Sequence, residues 1–147
     1  MSISTNKQYV GPYLCLLVEQ GAMITGKGSH RNSFLVQQQN KQVSVLYKYH
    51  RSNKKKWYFN LSTHESLFLL DNPHNHDTYV GFGCDLDGVC YLSLDELEEL
   101  RGTDDLDHLN FTIQRLPKGS YRVSCSNGNE LKYSIRQKTG GLSRIFT

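Results

Sequence analysis

The chain has 147 residues, 37% of them hydrophobic and 21% charged, with a mean hydropathy of −0.54. Such a length supports one hydrophobic core, and such a composition excludes a bundle of membrane helices and a wholly disordered chain. The formal charge of +3 conceals an asymmetry, because residues 1–57 hold nine Lys or Arg against one acid, residues 58–113 one against twelve, and residues 114–147 seven against one. Basic ends and an acidic middle can give one fold opposite potentials on different faces.

In chain order, Pro12 at a first-turn position and Gly21 just past the end bracket a helix over 12–20, with Leu14, Leu17 and Val18 on one face. Cys15 and Leu16 make it apolar almost all round, which predicts burial against a sheet. The apolar stretch 10–18 is interrupted by Gly11 and Pro12, and only Lys7 precedes it, a poor match to a secretory signal. The four cysteines lack the density of a disulfide scaffold, so free thiols and a cytoplasmic location are expected.

After a short strand at 22–24, segments 34–36, 43–49 and 57–61 are rich in β-branched and aromatic residues and are separated by polar turns at Asn40-Lys41 and Ser52-Asn53. They read as a meander. Ser62-Thr63-His64-Glu65 has capping-box spacing and opens a helix over 65–70. Strands at 78–84 and 89–92 flank Asp87-Gly88, a hairpin signal. Ser93 to Glu96 forms a second capping box, opening an acidic helix that Gly102 closes. Segments 109–116, 121–125 and 131–136 alternate around Pro117-Lys118-Gly119 and Asn127-Gly128, predicting a three-stranded C-terminal meander. The class is α+β, a mostly antiparallel or mixed twisted sheet with about three short helices. One compact domain over 1–147 is expected, with its core in 12–101 and the meander in 106–137.

The densest charged feature runs from Lys48 through His50, Arg51, Lys54, Lys55 and Lys56 to Trp57, on a predicted hairpin tip. Cations placed there would neutralise phosphates, and Trp57 or Tyr58 would stack on an unpaired base if exposed. The plainer reading is a solvated turn whose lysines protect a strand edge, with Trp57 in the core.

The order helix, strand, strand, strand, helix, strand resembles the core of the PD-(D/E)xK restriction-endonuclease-like superfamily, with one additional strand at 57–61. The resemblance spans about residues 12–84 and rests on order and spacing. It places Ser33 where the family carries its first acid, Leu46 where it carries the second carboxylate, and Lys48 at its lysine; Glu19 would match an accessory glutamate on the first helix. Phosphodiester hydrolysis at such sites needs a divalent ion on carboxylate oxygens, and leucine offers none. The resemblance therefore implies a nuclease-like core that binds and does not cut, unless an acid such as Glu65 has taken over.

Other constellations are less specific. His74 and His76 with Cys84 and Cys90 supply four zinc-type donors, but the cysteines lie six apart, without the tight CxxC pairing of structural sites. No metal or other cofactor is expected. The segment holding Asp95, Glu98, Glu99, Asp104 and Asp105 packs seven acids into thirteen residues, and it would suit a basic groove on a nucleic-acid-handling protein. Three functions follow: a nucleic-acid-associated domain whose partner is DNA or RNA, an interaction module or inhibitor that uses the acidic surface, and a metal-dependent nuclease with relocated ligands. The first is favoured, and no membrane partner is expected.

Overall fold

The computed structural model describes residues 5–28, 32–52, 54–70, 77–85 and 87–136. The first helix, α1 (Thr5–Glu19), starts well before Pro12, which lies inside it. Val10, Tyr13 and Leu17, spaced three and four apart, are its buried face, whereas Cys15, Leu16 and Val18 are exposed. The expectation of burial almost all round fails because a single sheet covers this helix on one side only. Among the described residues no helix is long and apolar enough to cross a membrane.

The chain continues through β1 (Met23–Lys27), β2 (Ser33–Gln38), β3 (Lys41–Tyr49), β4 (Lys56–Asn60), α2 (Thr63–Leu70), β5 (Asp77–Gly83), β6 (Val89–Ser93), α3 (Leu94–Arg101), β7 (Asn110–Arg115), β8 (Ser120–Cys125) and β9 (Ile135–Arg136). A short 3-10 turn, Leu106–His108, precedes β7. One sheet has the order β1-β2-β3-β5-β6 and the other β4-β7-β8-β9. β3 and β5 run parallel, and every other pairing is antiparallel. The fold class is therefore α+β with mixed and antiparallel sheets.

The predicted meander of 34–36, 43–49 and 57–61 breaks after its second strand. β5 takes the free edge of β3, so β4 crosses to the second sheet and pairs with β7, Trp57 opposite Ile113 and Phe59 opposite Phe111. Alternation along β4 buries Trp57 and Phe59 and exposes its other residues. The C-terminal meander thereby gains β4 as an edge strand, and its own last strand shrinks to two residues.

Two apolar layers result. Val36, Val43, Val45 and Tyr47 face α1, and on the opposite side Leu46, Val80 and Phe82 pack with Trp57, Phe59, Phe111, Leu69 of α2 and Leu97 and Leu100 of α3. The α3 capping box forms as its sequence predicts: the Glu96 amide donates to Ser93 Oγ, and the Ser93 amide donates to Glu96 Oε1. The β5–β6 connection is wider than a two-residue turn, because the Cys84 amide donates to the Gly88 carbonyl and the Asp87 amide to that of Cys84. Its two aspartates hold different layers. Tyr49 donates to Asp85 Oδ1 at 2.9 Å and Tyr13 to the Asp85 carbonyl at 3.1 Å, whereas Arg115 and Tyr121 donate to the two oxygens of Asp87 at 3.0 and 2.9 Å.

Tyr13 lies directly on Gly83, where an added Cβ would come within 2.3 Å of its ring. Gly83→Ala should therefore cost about 1–3 kcal/mol through overpacking, whereas Gly11→Ala, in an open part of α1, should gain up to about 1 kcal/mol. Urea unfolding of the two variants checks the contrast, and equal midpoints would contradict the α1 packing.

Candidate nucleic-acid interface and nuclease-like centre

Ser33 at the start of β2 pairs with Leu46 on β3, and Lys48 follows Leu46 two residues later on the same sheet face. The three positions assigned by the family resemblance are thus brought together. Their chemistry differs from that of a metal site. Leu46 is 0% exposed and belongs to the apolar layer between the sheets. Ser33 is fully buried against the backbone of Gly28, where an added Cβ would lie 2.1 Å from its Oγ. Glu19 does not join them: β1 begins by pairing Met23 with Gln37, so the end of α1 lies toward the opposite end of β2 from Ser33.

Lys48 instead meets Glu65 on α2, with Nζ 2.8 Å from Oε1. The Ser62 amide donates to the same oxygen at 2.8 Å, and the Glu65 amide donates to Ser62 Oγ at 3.1 Å, so the carboxylate also completes the α2 capping box. Burial on its own would raise the Glu65 pKa, but the donors Lys48 and Ser62 outweigh it and hold the carboxyl below its ordinary 4.5. Among the described residues the centre therefore brings Lys48 one carboxylate, whose Oε1 already accepts from two donors.

The basic segment is a crossover between sheets and not a hairpin tip, because β3 and β4 belong to different sheets. Arg51, Lys54, Lys55 and Lys56 are exposed and form no ion pair among the described residues. Lys48 differs from them in being paired with Glu65. His50 is partly buried, its Nδ1 accepting the Tyr58 amide at 3.0 Å and its ring packing edge-on against Tyr58 and Phe59. Trp57 is 2% exposed and sits edge-on to Tyr121, so the proposed stacking role does not fit it. Period-two alternation turns the next residue outward instead, and Tyr58 is 54% exposed.

The acidic segment is spread out. Asp95, Glu98, Glu99, Asp104 and Asp105 are exposed, but Glu98 pairs with Arg101 at 2.9 Å and Asp104 accepts from Asn127 at 3.0 Å. Asp105, Asp107 and His108 place one ligand atom each within 4.8 Å of one another at the surface, and Asp107 also accepts from Thr63. Of the zinc-type donors, Cys84 and Cys90 are buried in the apolar layer, and burial raises the Cys84 thiol pKa. His74 and His76 lie outside the described residues.

Sequence reasoning missed the basic residues of the second sheet. The Arg115 amide donates to the Lys55 carbonyl at 3.0 Å, and Lys56, Gln114 and Arg122 form one cross-strand row. The alternation of 121–125 predicted a strand, and its outward face carries the exposed Arg122 and the half-buried Ser124.

No family model matches the chain, and no curated protein matches it in sequence. Among solved structures it is similar to Hjc, a Holliday junction resolvase from the archaeal hyperthermophile Archaeoglobus fulgidus. The TM-score is 0.52 at 15% identity, over 76% of this chain and 84% of that one. The likeness is one of fold, α+β with mixed and antiparallel sheets, consistent with a nuclease-like fold.

Glu65→Gln should destabilise the protein by roughly 1–3 kcal/mol near neutral pH, because it removes a charged acceptor from Lys48. A depressed folded-state pKa contributes stability above the unfolded value and loses it as pH falls through the folded value. The gap between wild type and variant should consequently be constant above about pH 6 and close progressively below 4.5. A gap independent of pH in denaturant titrations would contradict a charged Lys48–Glu65 pair.

Proposed function

We propose that this protein binds DNA or RNA through the crossover between its two sheets, on a nuclease-like fold whose metal-binding positions no longer hold metal. The observation that carries the reading is the set of four exposed cations, Arg51, Lys54, Lys55 and Lys56, with no ion-pair partner among the described residues. Cations free of internal partners release counterions when they meet phosphates, which is the main source of affinity for a nucleic-acid backbone. Tyr58, exposed on the adjoining strand, offers a stacking face for an unpaired base.

The pairing of Ser33 with Leu46 supports binding without cleavage. A divalent ion needs several oxygen ligands to polarise a phosphate and generate hydroxide, and Leu46 supplies none. Glu65 is the relocated carboxylate with which a nuclease would have to work, and Lys48 and Ser62 already occupy its Oε1. An interaction module based on α3 has less support, because Glu96 is buried and Glu98 and Asp104 have partners within the chain. The four cysteines are free, which fits a reducing compartment such as the cytoplasm.

In gel-shift titrations the wild type should bind with a steep inverse dependence on salt, and Lys54→Gln/Lys55→Gln/Lys56→Gln should lower affinity at least ~10-fold and reduce the salt slope by roughly 2–3. Neither protein should cleave single-stranded or duplex substrates with Mg²⁺ or Mn²⁺. Wild-type affinity weaker than about 100 μM at about 50 mM salt would reject nucleic-acid binding. Metal-dependent cleavage abolished by Glu65→Gln would instead establish a working nuclease.

A further inference from the structure

At one end of the second sheet, the turn 116–119 and the strands beside it enclose a solvent-facing cavity of about 620 Å³. Its lining includes Arg115, Lys118, Gly119, Ser120, Ser134 and Arg136, which brings together three cations and two hydroxyls, with no carboxylate among the described residues that line it. Local pairing explains the assembly. Ser120 lies opposite Arg136 across β8 and β9, and the turn closes as the Gly119 amide donates to the Leu116 carbonyl at 3.0 Å and the Leu116 amide to that of Ser120 at 2.7 Å.

Arg115 is held from behind this turn. One of its terminal nitrogens donates to Asp87 Oδ1 at 3.0 Å, while Tyr121 donates to the other oxygen at 2.9 Å and fixes the carboxylate. The Arg115 Nε is buried without a hydrogen-bond partner among the described residues. A buried donor of this kind is costly unless something accepts from it. Asp87 offsets one of the three positive charges and leaves the cavity with a net positive lining.

We propose that this cavity is a binding site for a phosphate group. Arg115, Lys118 and Arg136 supply the charge, and the Ser120 and Ser134 hydroxyls supply neutral donors. A guanidinium fork matches a tetrahedral oxyanion in both geometry and charge, and two guanidinium groups beside an ammonium ion exceed what a solvated turn needs. The volume admits a phosphate with the sugar that bears it. The row Lys56, Gln114 and Arg122 connects the crossover to this end of the sheet, so the phosphate can belong to a strand held by the crossover, within its backbone or at its terminus. The cavity stands on its own geometry and does not require the nucleic-acid reading.

Amide-detected NMR of the full chain, titrated with inorganic phosphate at constant ionic strength, tests the site. Saturable shifts should concentrate at 115–120 and 134–136, with a dissociation constant on the order of millimolar, and Lys118→Gln and Arg136→Gln should each weaken it at least ~5-fold. Both side chains lack ion pairs among the described residues, so neither variant should disturb the fold. Shifts that are absent, scattered over the surface, or unchanged in both variants would overturn the proposal. Oligonucleotides with a 5′-phosphate or a 5′-hydroxyl separate the sources: preference for the former assigns a terminal phosphate, and equal weakening of both by Arg136→Gln assigns the backbone. Phosphate shifts without oligonucleotide binding would sink the crossover reading alone, and oligonucleotide binding without phosphate shifts would sink the cavity alone.

Discussion

The pairing of β3 with β5 determines most of what this molecule presents to its surroundings. A strand has two edges, and β3 gives one to β2 and the other to β5. Parallel pairing cannot be closed by a tight turn, so the chain between the two strands must travel, and here it travels through the second sheet and α2. The pairing is held from both faces. Gly81 admits the Tyr47 and Tyr91 rings on the side toward α1, where a Cβ would lie 2.9 Å from Tyr47, and Phe82 meets Phe59 and Phe111 at 4.6 and 5.7 Å on the other side. Each aromatic residue withdrawn from water contributes about 1.5–3 kcal/mol, so several such contacts outweigh the local preference for a hairpin between β3 and β4.

The centre at Ser33, Leu46 and Lys48 shows how one position can serve packing or chemistry. Leu46 points into the layer that joins the sheets, with Trp57 and Phe82 among its neighbours in the cluster. A carboxylate in its place would need either a bound cation or protonation to remain there, because an unpaired buried charge is far too costly. Leucine removes that requirement and adds apolar area to the very layer that the additional strand β4 created. Lys48, having no acid on its own strand, is satisfied by Glu65 from the helix that follows the crossover. The ion pair ties β3 to α2 across the base of the inserted segment.

What could be read from the sequence was local. The α3 helix, its capping box and its closing Gly102 follow from residues within one turn of one another, and the structure contains all three. The two strands that bring Ser33 opposite Leu46 were legible as separate segments at 34–36 and 43–49, but their register was not, because Ser33 lies outside the predicted strand. The destination of β4 was not legible: its alternation gives a strand with one buried face, but no residue in it specifies which sheet it joins. The error over the hairpin tip has the same origin. Trp57 and Tyr58 differ by one position in a period of two, so choosing between them required knowing which side of the strand faces the core. The basic cavity was hidden for another reason, since Arg115, Lys118 and Arg136 form no charge run and converge only when β8 and β9 pair.

Hydrogen bonds frame the crossover on both sides, which bears on how its cations can act. At its start the His50 amide donates to the Gly83 carbonyl, and Tyr49 donates to Asp85. At its end the Arg115 amide donates to the Lys55 carbonyl, and Arg115 in turn donates to Asp87. Asp85 and Asp87 belong to the same turn, so the circuit from β3 through the crossover to β7 closes on itself. Side chains of Arg51, Lys54, Lys55 and Lys56 thus extend from a segment anchored at each end and not from a long free loop. Ordering a loop on binding costs free energy that an anchored segment has already lost on folding. The two acids of this turn accordingly do more for a phosphate ligand than their charge suggests: they repel it weakly at a distance, yet they fix the backbone and the guanidinium that would receive it.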